Sequence, residues 1–213
     1  MLRAVENEHL GKLLDPRQGV ASAASATEMG DFFQYAIDKP VNLPRQKSAM
    51  LPIVNQDVQA TRVSIYNQGV HAKFPLLGLK FKNTSGLHLM QGPITVFEGG
   101  NYAGDSRIMD LQPNEERLLS YAIDLGTEVE PIIDAGHDNL IAVKVNKGII
   151  YATHKVRESR HWNIKNRSEH DRTVIVEHPY RQEFALVKPE KASERARDVY
   201  RFEVKVEAGK NAK

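Results

Sequence analysis

The sequence contains no cysteine, and that absence removes several kinds of chemistry at once. Disulfide frameworks, thiolate nucleophiles, Cys-ligated zinc and Cys-ligated iron–sulfur clusters are all excluded. Long apolar runs are missing too. The longest span a few residues, such as Phe74-Pro75-Leu76-Leu77, far below the length of a membrane-crossing helix. Between Met1 and His9 the chain carries Glu6 and Glu8 where a secretion signal needs an apolar centre, so no signal is read there. Neither sign of charge dominates: 29 Lys and Arg stand against 27 Asp and Glu, a net of +2. That balance argues against nucleic acid or an anionic membrane as the partner, since both select a strong excess of Lys and Arg.

What is present is ordinary for a globular protein. The hydrophobic fraction is 41% and the charged fraction 26%, enough to build a core. The 213 residues suit one large domain or two of roughly 100 residues. Residues 1–30 lack a core pattern, and the small-residue stretch 19–26 (GVASAASA) reads as a linker or poorly ordered N-terminal arm.

From Phe32 onward the patterning changes to that of strands. Phe33, Tyr35 and Ile37 alternate with polar residues, and 48–54, 61–66 and 77–83 read as further strands. In 77–83, Leu77, Leu79 and Phe81 fall on one face and Lys80 and Lys82 on the other, the period-2 signature of a half-buried strand. Glu98-Gly99-Gly100-Asn101 between two apolar runs is a hairpin signal, because glycine accepts the positive φ that tight turns demand. Short runs follow at 118–122 and 129–133. The polar stretch 134–139 then reads as a connection.

Beyond it, Ile141, Val143 and Val145 alternate, Asn146-Lys147-Gly148 turns the chain, and Ile149 to Val156 returns. Strand-like runs also occur at 173–177, 184–187 and 200–206, while 188–198 reads as a helical turn or loop. Turn signals every 8 to 12 residues are the rhythm of antiparallel sandwiches and barrels. The expectation is an all-β fold of two tandem β-sandwich, immunoglobulin-like units, 31–130 and 131–213. The alternative is one elongated sandwich fed by both halves. One internal echo points to duplication or to convergence on the same turn chemistry: 80–85 (KFKNTS) and 163–168 (NIKNRS) both follow a strand with Lys, Asn, any residue, Ser. Asn and Ser so placed can cap a strand end by bonding the backbone of the turn.

Residues 81–106, and above all Gly92-Pro93-Ile94-Thr95-Val96-Phe97, Gly99-Gly100 and Gly104-Asp105, resemble the uncharacterised C-terminal domain of mucoidy-inhibitor-A-like bacterial proteins. Tyr200 to Val204 resembles that family's closing strand, and the resemblance runs over about 32–206. It implies a β-rich fold in a larger, envelope-associated bacterial protein, and an extracytoplasmic location if that larger protein is exported. It implies no catalytic residues. Members of the family commonly carry an N-terminal region of coiled-coil character, which is not seen here.

Candidate chemistry is sparse. His154, His161, His170 and His178 lack the His-x-His or His-x₃-His spacing that aims two imidazoles at one ion. Asp134, Asp138 and Asn139 offer oxygens near Gly136 but too few carboxylates for calcium, and a polar turn accounts for them. No Gly-x-Ser-x-Gly elbow or Gly-rich phosphate loop occurs. Glu115-Glu116 and Glu128/Glu130 are paired carboxylates, read as solvated charge. No catalytic, cofactor-binding or metal residue is therefore assigned, and no cofactor is expected.

The most basic stretch, 144–172, holds eight Lys and Arg against three acids and includes Trp162. Lys155, Arg157, Arg160, Trp162 and Lys165 form the candidate binding face, for a protein or an acidic polysaccharide. The competing reading has those cations guarding strand edges and Trp162 in the core. The expected function is a non-catalytic binding or structural module. The alternatives are a carbohydrate-binding accessory domain, needing Tyr102, Tyr151 or Trp162 aligned on one face, and a hydrolase with carboxylates on loops.

Overall fold

The computed structural model describes residues 24–29, 32–37, 40–49, 51 and 54–213. The architecture over these residues is all-β, with no helix among them. β1 (Ala24–Met29) pairs antiparallel with β2 (Phe32–Ile37), Ala26 opposite Tyr35 and Glu28 opposite Phe33. Part of the stretch expected to be an unstructured arm is thus a strand. Ladder bonds come from the backbone, so small residues pair well against a partner with strong β propensity. Residues 1–23 and 30 of that stretch lie outside the described residues.

The remaining strands are β3 (Gln59–Asn67), β4 (Leu76–Lys82), β5 (Gly92–Glu98), β6 (Asn101–Ile108) and β7 (Glu116–Ile123). They are followed by β8 (Thr127–Asn146), β9 (Ile149–Asn166), β10 (Arg172–Pro179), β11 (Glu194–Arg195), β12 (Val199–Val206) and β13 (Asn211–Ala212). One six-stranded sheet has the order β11-β12-β10-β3-β4-β7, a three-stranded sheet the order β13-β9-β8, and β5 pairs with β6. β10 runs parallel to β3, Val174 opposite Ser64 and Val176 opposite Tyr66. Hydrophobic alternation reports which face a strand buries, not the direction of its partner, so this parallel pair was not legible.

Three expected elements differ. The described residues of 48–54 (48, 49, 51 and 54) are not in a strand, and neither are 184–187. A turn over 181–184 leads into the latter stretch: Phe184 N–H bonds Arg181 C=O at 3.2 Å, and the Arg181 guanidinium lies 3.9 Å above the Phe184 ring. The stretch 188–198 is loop apart from β11. Most consequentially, 134–139 is not a connection but part of β8, paired to 155–159 of β9. Polar residues and Gly136 suggest a loop by composition, yet a strand exposed on both faces accepts them.

By contacts the chain divides into two units. One comprises Leu79–Tyr121 with the described residues up to Thr61; the other comprises Arg62–Gly78 with Ala122–Lys213. The contact boundary falls at 121/122, where the sequence suggested 130, and 62–78 joins the second unit because β3 lies along β10. The first unit's core gathers Ile108, Leu111 and Leu119, with Phe81, Leu89 and Ile94 against them. The second unit's core gathers Tyr66, Val129, Ile164, Val174, Val176 and Val206, flanked by Trp162 and Phe202. In that unit Asp124 is buried and accepts from Ser64 Oγ (2.6 Å), Thr127 Oγ1 (2.9 Å) and Gly126 N–H (3.1 Å).

The echo at Asn83 and Asn166 extends to atomic detail. Asn83 Nδ2 donates to Leu87, Leu111 and Gln112 carbonyls; Asn166 Nδ2 donates to His170, Val206 and Glu207 carbonyls. Ser85 and Ser168, two residues on, each give both N–H and Oγ–H to their Asn Oδ1. Each Asn N–H bonds the last residue of a turn closed by the same bond, Glu115 N to Gln112 O and Lys210 N to Glu207 O. The third residue of each turn has positive φ: Asn114 at 66° and Gly209 at 67°. Leu89 opposes Leu111 as Arg172 opposes Val206.

The strand series repeats with it. The order β3-β4-β7 recurs as β8-β9-β13, and the pair β5–β6 recurs as β10–β12. The two series differ in one dimension. β3 and β4 have 9 and 7 residues, whereas their counterparts β8 and β9 have 20 and 18.

Candidate functional site

That difference in length defines the candidate site. β8 and β9 pair from Thr127↔Asn166 at the base to Asn146↔Ile149 at the tip. Lys147 (φ 48°) and Gly148 (φ 80°) close the tip as a two-residue turn with both φ positive, the geometry that matches strand twist. The base is covered: Val129 and Ile164 are in the core, and β13 pairs with Ile164 and Lys165. From Ile133 on β8, around the tip and back to Glu158 on β9, the described side chains are exposed.

Register assigns every distal residue to a face, because directly opposed residues project the same way and neighbours alternate. One face carries Leu140 opposite His154, Val143 opposite Ala152, and Val145 opposite Ile150, with Val156 and Ile133 nearer the base. It is the outward continuation of the face that buries Val129, Trp162 and Ile164. The other face carries Lys144, Tyr151, Thr153, Lys155, Arg157, His137 and Asn139. Two bulges in β8, between Asp134 and His137 and between Leu140 and Ala142, each add one residue. A single-residue slip moves a strand's whole apolar set to the opposite face. Two slips in succession restore the phase, so Val143 and Val145 share a face with Val129. Gly136 serves the first bulge, where a Cβ would meet Arg157 O at 3.2 Å.

The five residues of the expected binding face do not lie on one face. Lys155, Arg157 and Lys165 project to the polar side; Arg160 and Trp162 project to the apolar side. Lys155 and Arg157 are brought together with His137 and Asn139 around a shallow depression. Trp162 packs partly buried against the second unit's core, its ring edge-on to His178 at 5.9 Å. Burial is the main cause holding the His178 imidazole below its usual range, and Arg160 and Arg181 add to it. The three aromatics considered for carbohydrate stacking are separated too. Tyr151 and Trp162 lie on opposite ribbon faces, and Tyr102 lies on β6 of the first unit, bonded to Asp105 at 2.6 Å.

Near the ribbon's base Ser159, His161 and Asp134 form a cluster with the composition of a hydrolytic triad. Its geometry does not perform that chemistry. Ser159 Oγ and Asp134 Oδ2 both lie 3.3 Å from the same nitrogen, His161 Nε2. A relay needs the acid on one ring nitrogen and the nucleophile on the other. The paired carboxylates are each held by a separate partner. Glu115 accepts from Gln112 N–H at 3.1 Å, and Glu116 pairs with Lys80 at 3.2 Å. Glu128 pairs with Lys73 at 2.9 Å and Arg167 at 2.8 Å; the Lys73 hydrogen bond, with the Arg167 charge behind it, pulls its carboxyl below the ordinary range. Among the described residues no three His, Asp or Glu converge as a metal site, and no helix is long and apolar enough to cross a membrane.

No protein-family model, curated protein or solved structure matches the chain. The ribbon's amphipathic character was missed from sequence because 134–139 reads as a break. The signal that could have found it is the uninterrupted alternation of Ile150, Ala152, His154 and Val156 with Tyr151, Thr153, Lys155 and Arg157.

Proposed function

We propose that the protein is a non-catalytic binding module whose working part is the distal β8–β9 ribbon. One observation carries this reading: the repeated strand series keeps β3 and β4 short but extends the equivalent β8–β9 pair into a ribbon with one apolar face that no other described strand covers. The fold of the second unit does not need the extension, since its core is complete at the base. A two-stranded ribbon bare on both sides is marginal in water, so an uncovered apolar face of this size marks a surface meant to be met. The duplicated series, each copy three neighbouring strands plus a strand pair, supports two immunoglobulin-like sandwich units. The resemblance at Gly92–Phe97, Gly99-Gly100 and Gly104-Asp105 supports a place in a larger bacterial envelope-associated protein of the mucoidy-inhibitor-A-like kind.

The test is site-specific photocrosslinking in cells producing the full chain. A photoreactive residue at Ile150 yields a protein adduct, and one at the similarly exposed loop position Val187 does not. Absence of any adduct at Ile150 removes the binding reading.

A further inference from the structure

We infer that the apolar face of the ribbon is the contact between two copies of this chain; this rests on the binding-module reading above and names its partner. Leu140, Val143, Val145, Ile150, Val156 and Ile133 are between 48% and 70% exposed. Together they present on the order of 600 Å² per copy, against ~800 Å² per partner in a standard specific interface. Covered in full, a pair of such faces reaches the lower end of the range for specific interfaces from the ribbon alone.

Charge decides which surface can meet its own image. The opposite face presents Lys144, Lys155 and Arg157, and stacking it on a second copy would oppose like charges in a drying interface. On the apolar face the two ionisable groups near the middle, Asp138 and His154, are already bonded to each other at 2.9 Å. A single carboxylate with the His154 ring beside it, and with Glu158 and Arg160 only nearer the base, opposes a second copy less than the three cations of the other face. Edge-to-edge addition through β8 is disfavoured because both bulges lie in that strand, and bulges interrupt the row of backbone groups a new strand would need. The apolar area lies on a face and not on an edge, so the inferred packing is face to face, with side chains of two ribbons interleaved as in stacked sheets.

The experiment uses purified full chain in sedimentation equilibrium. The wild type is expected at twice the 24.0 kDa chain mass. V145K/I150K should raise the dimer dissociation constant at least ~100-fold, about tenfold for each buried apolar side chain lost. Ile150→Thr, which keeps β-branching, should give a smaller rise, and a cooperative urea transition in Trp162 fluorescence shows that both variants are folded. The natural absence of cysteine allows a directional check. Val145→Cys should form an inter-chain disulfide on mild oxidation, and Lys155→Cys on the other face should not. A wild type that is monomeric at ~100 µM overturns the inference, since an interface of this size should hold at that concentration. So does a dimer indifferent to V145K/I150K, or one trapped through Lys155→Cys. A monomer that still gives an Ile150 adduct in cells means a different protein occupies the face and the binding reading stands. A monomer with no adduct ends both.

Discussion

Replacing Asn166 with Ala tests whether the repeated Asn–Ser device holds the second unit together. Asn166 is 2% exposed, so its amide has no water to fall back on. Nδ2 has two protons but three carbonyls within reach: His170 at 2.8 Å, Glu207 at 3.1 Å and Val206 at 3.2 Å, so one proton is shared. Oδ1 accepts from Ser168 N–H at 3.0 Å and Ser168 Oγ at 2.7 Å. Removing about four hydrogen bonds, each worth about 1 kcal/mol net, predicts a loss of about 3–5 kcal/mol. Two acceptors keep other partners, since Ser168 Oγ also reaches His170 O and Lys210 N reaches Glu207 O, which holds the figure below the sum of full desolvation penalties.

The assay is urea unfolding followed by fluorescence of Trp162, the chain's one tryptophan, which packs against this core. With a slope of about 2 kcal/mol per molar urea, the midpoint should fall by about 1.5–2.5 M. Asn166→Asp separates hydrogen bonding from shape. The new carboxylate faces carbonyl oxygens, so its folded pKa is raised above the unfolded value. The variant is therefore most stable in acid, below the unfolded carboxyl pKa, and loses that stability as pH rises through the folded one. A midpoint shift below ~0.3 M for Asn166→Ala, or an Asp variant that gains nothing in acid, would refute the reasoning.

Gly104 sits at φ 150°, and a Cβ there would lie 2.2 Å from Tyr121 O. Backbone strain and overpacking together predict a loss of about 3–5 kcal/mol for Gly104→Ala, read as a fall in melting temperature of roughly 10 °C. The depressed folded pKa of His178 gives a pH dependence of defined sign. Above the unfolded value of about 6.5 both states are neutral and stability is full. As pH falls through that value toward the folded pKa the unfolded state gains the proton first, and stability is lost. Urea midpoints measured from pH 8 to pH 5 should decline in the wild type and decline less in His178→Gln. Equal declines would exclude His178 as the source.

The local patterns carried most of the strand inventory. Alternation at 77–83 and 200–206, the β-branched run at 173–177 and the glycine pair at 99–100 each produce a strand or turn where they stand, because a period of two and a positive φ are properties of a few adjacent residues. The candidate site was less legible. Composition at 134–139 resembles a loop, and only the partner strand opposite it makes it part of β8.

What the sequence determined by itself is therefore the all-β class, the glycine turns at 99–100 and 147–148, the exclusion of thiol chemistry and the short echo around Asn83 and Asn166. Tertiary structure alone decided that β3 lies parallel to β10, that each Asn holds carbonyls of a segment 28 to 41 residues further along the chain, and that the ribbon's apolar face is uncovered. The physical reason is common to all three. Strand pairing and exposure depend on which distant segment arrives opposite, and no window of neighbouring residues contains that information.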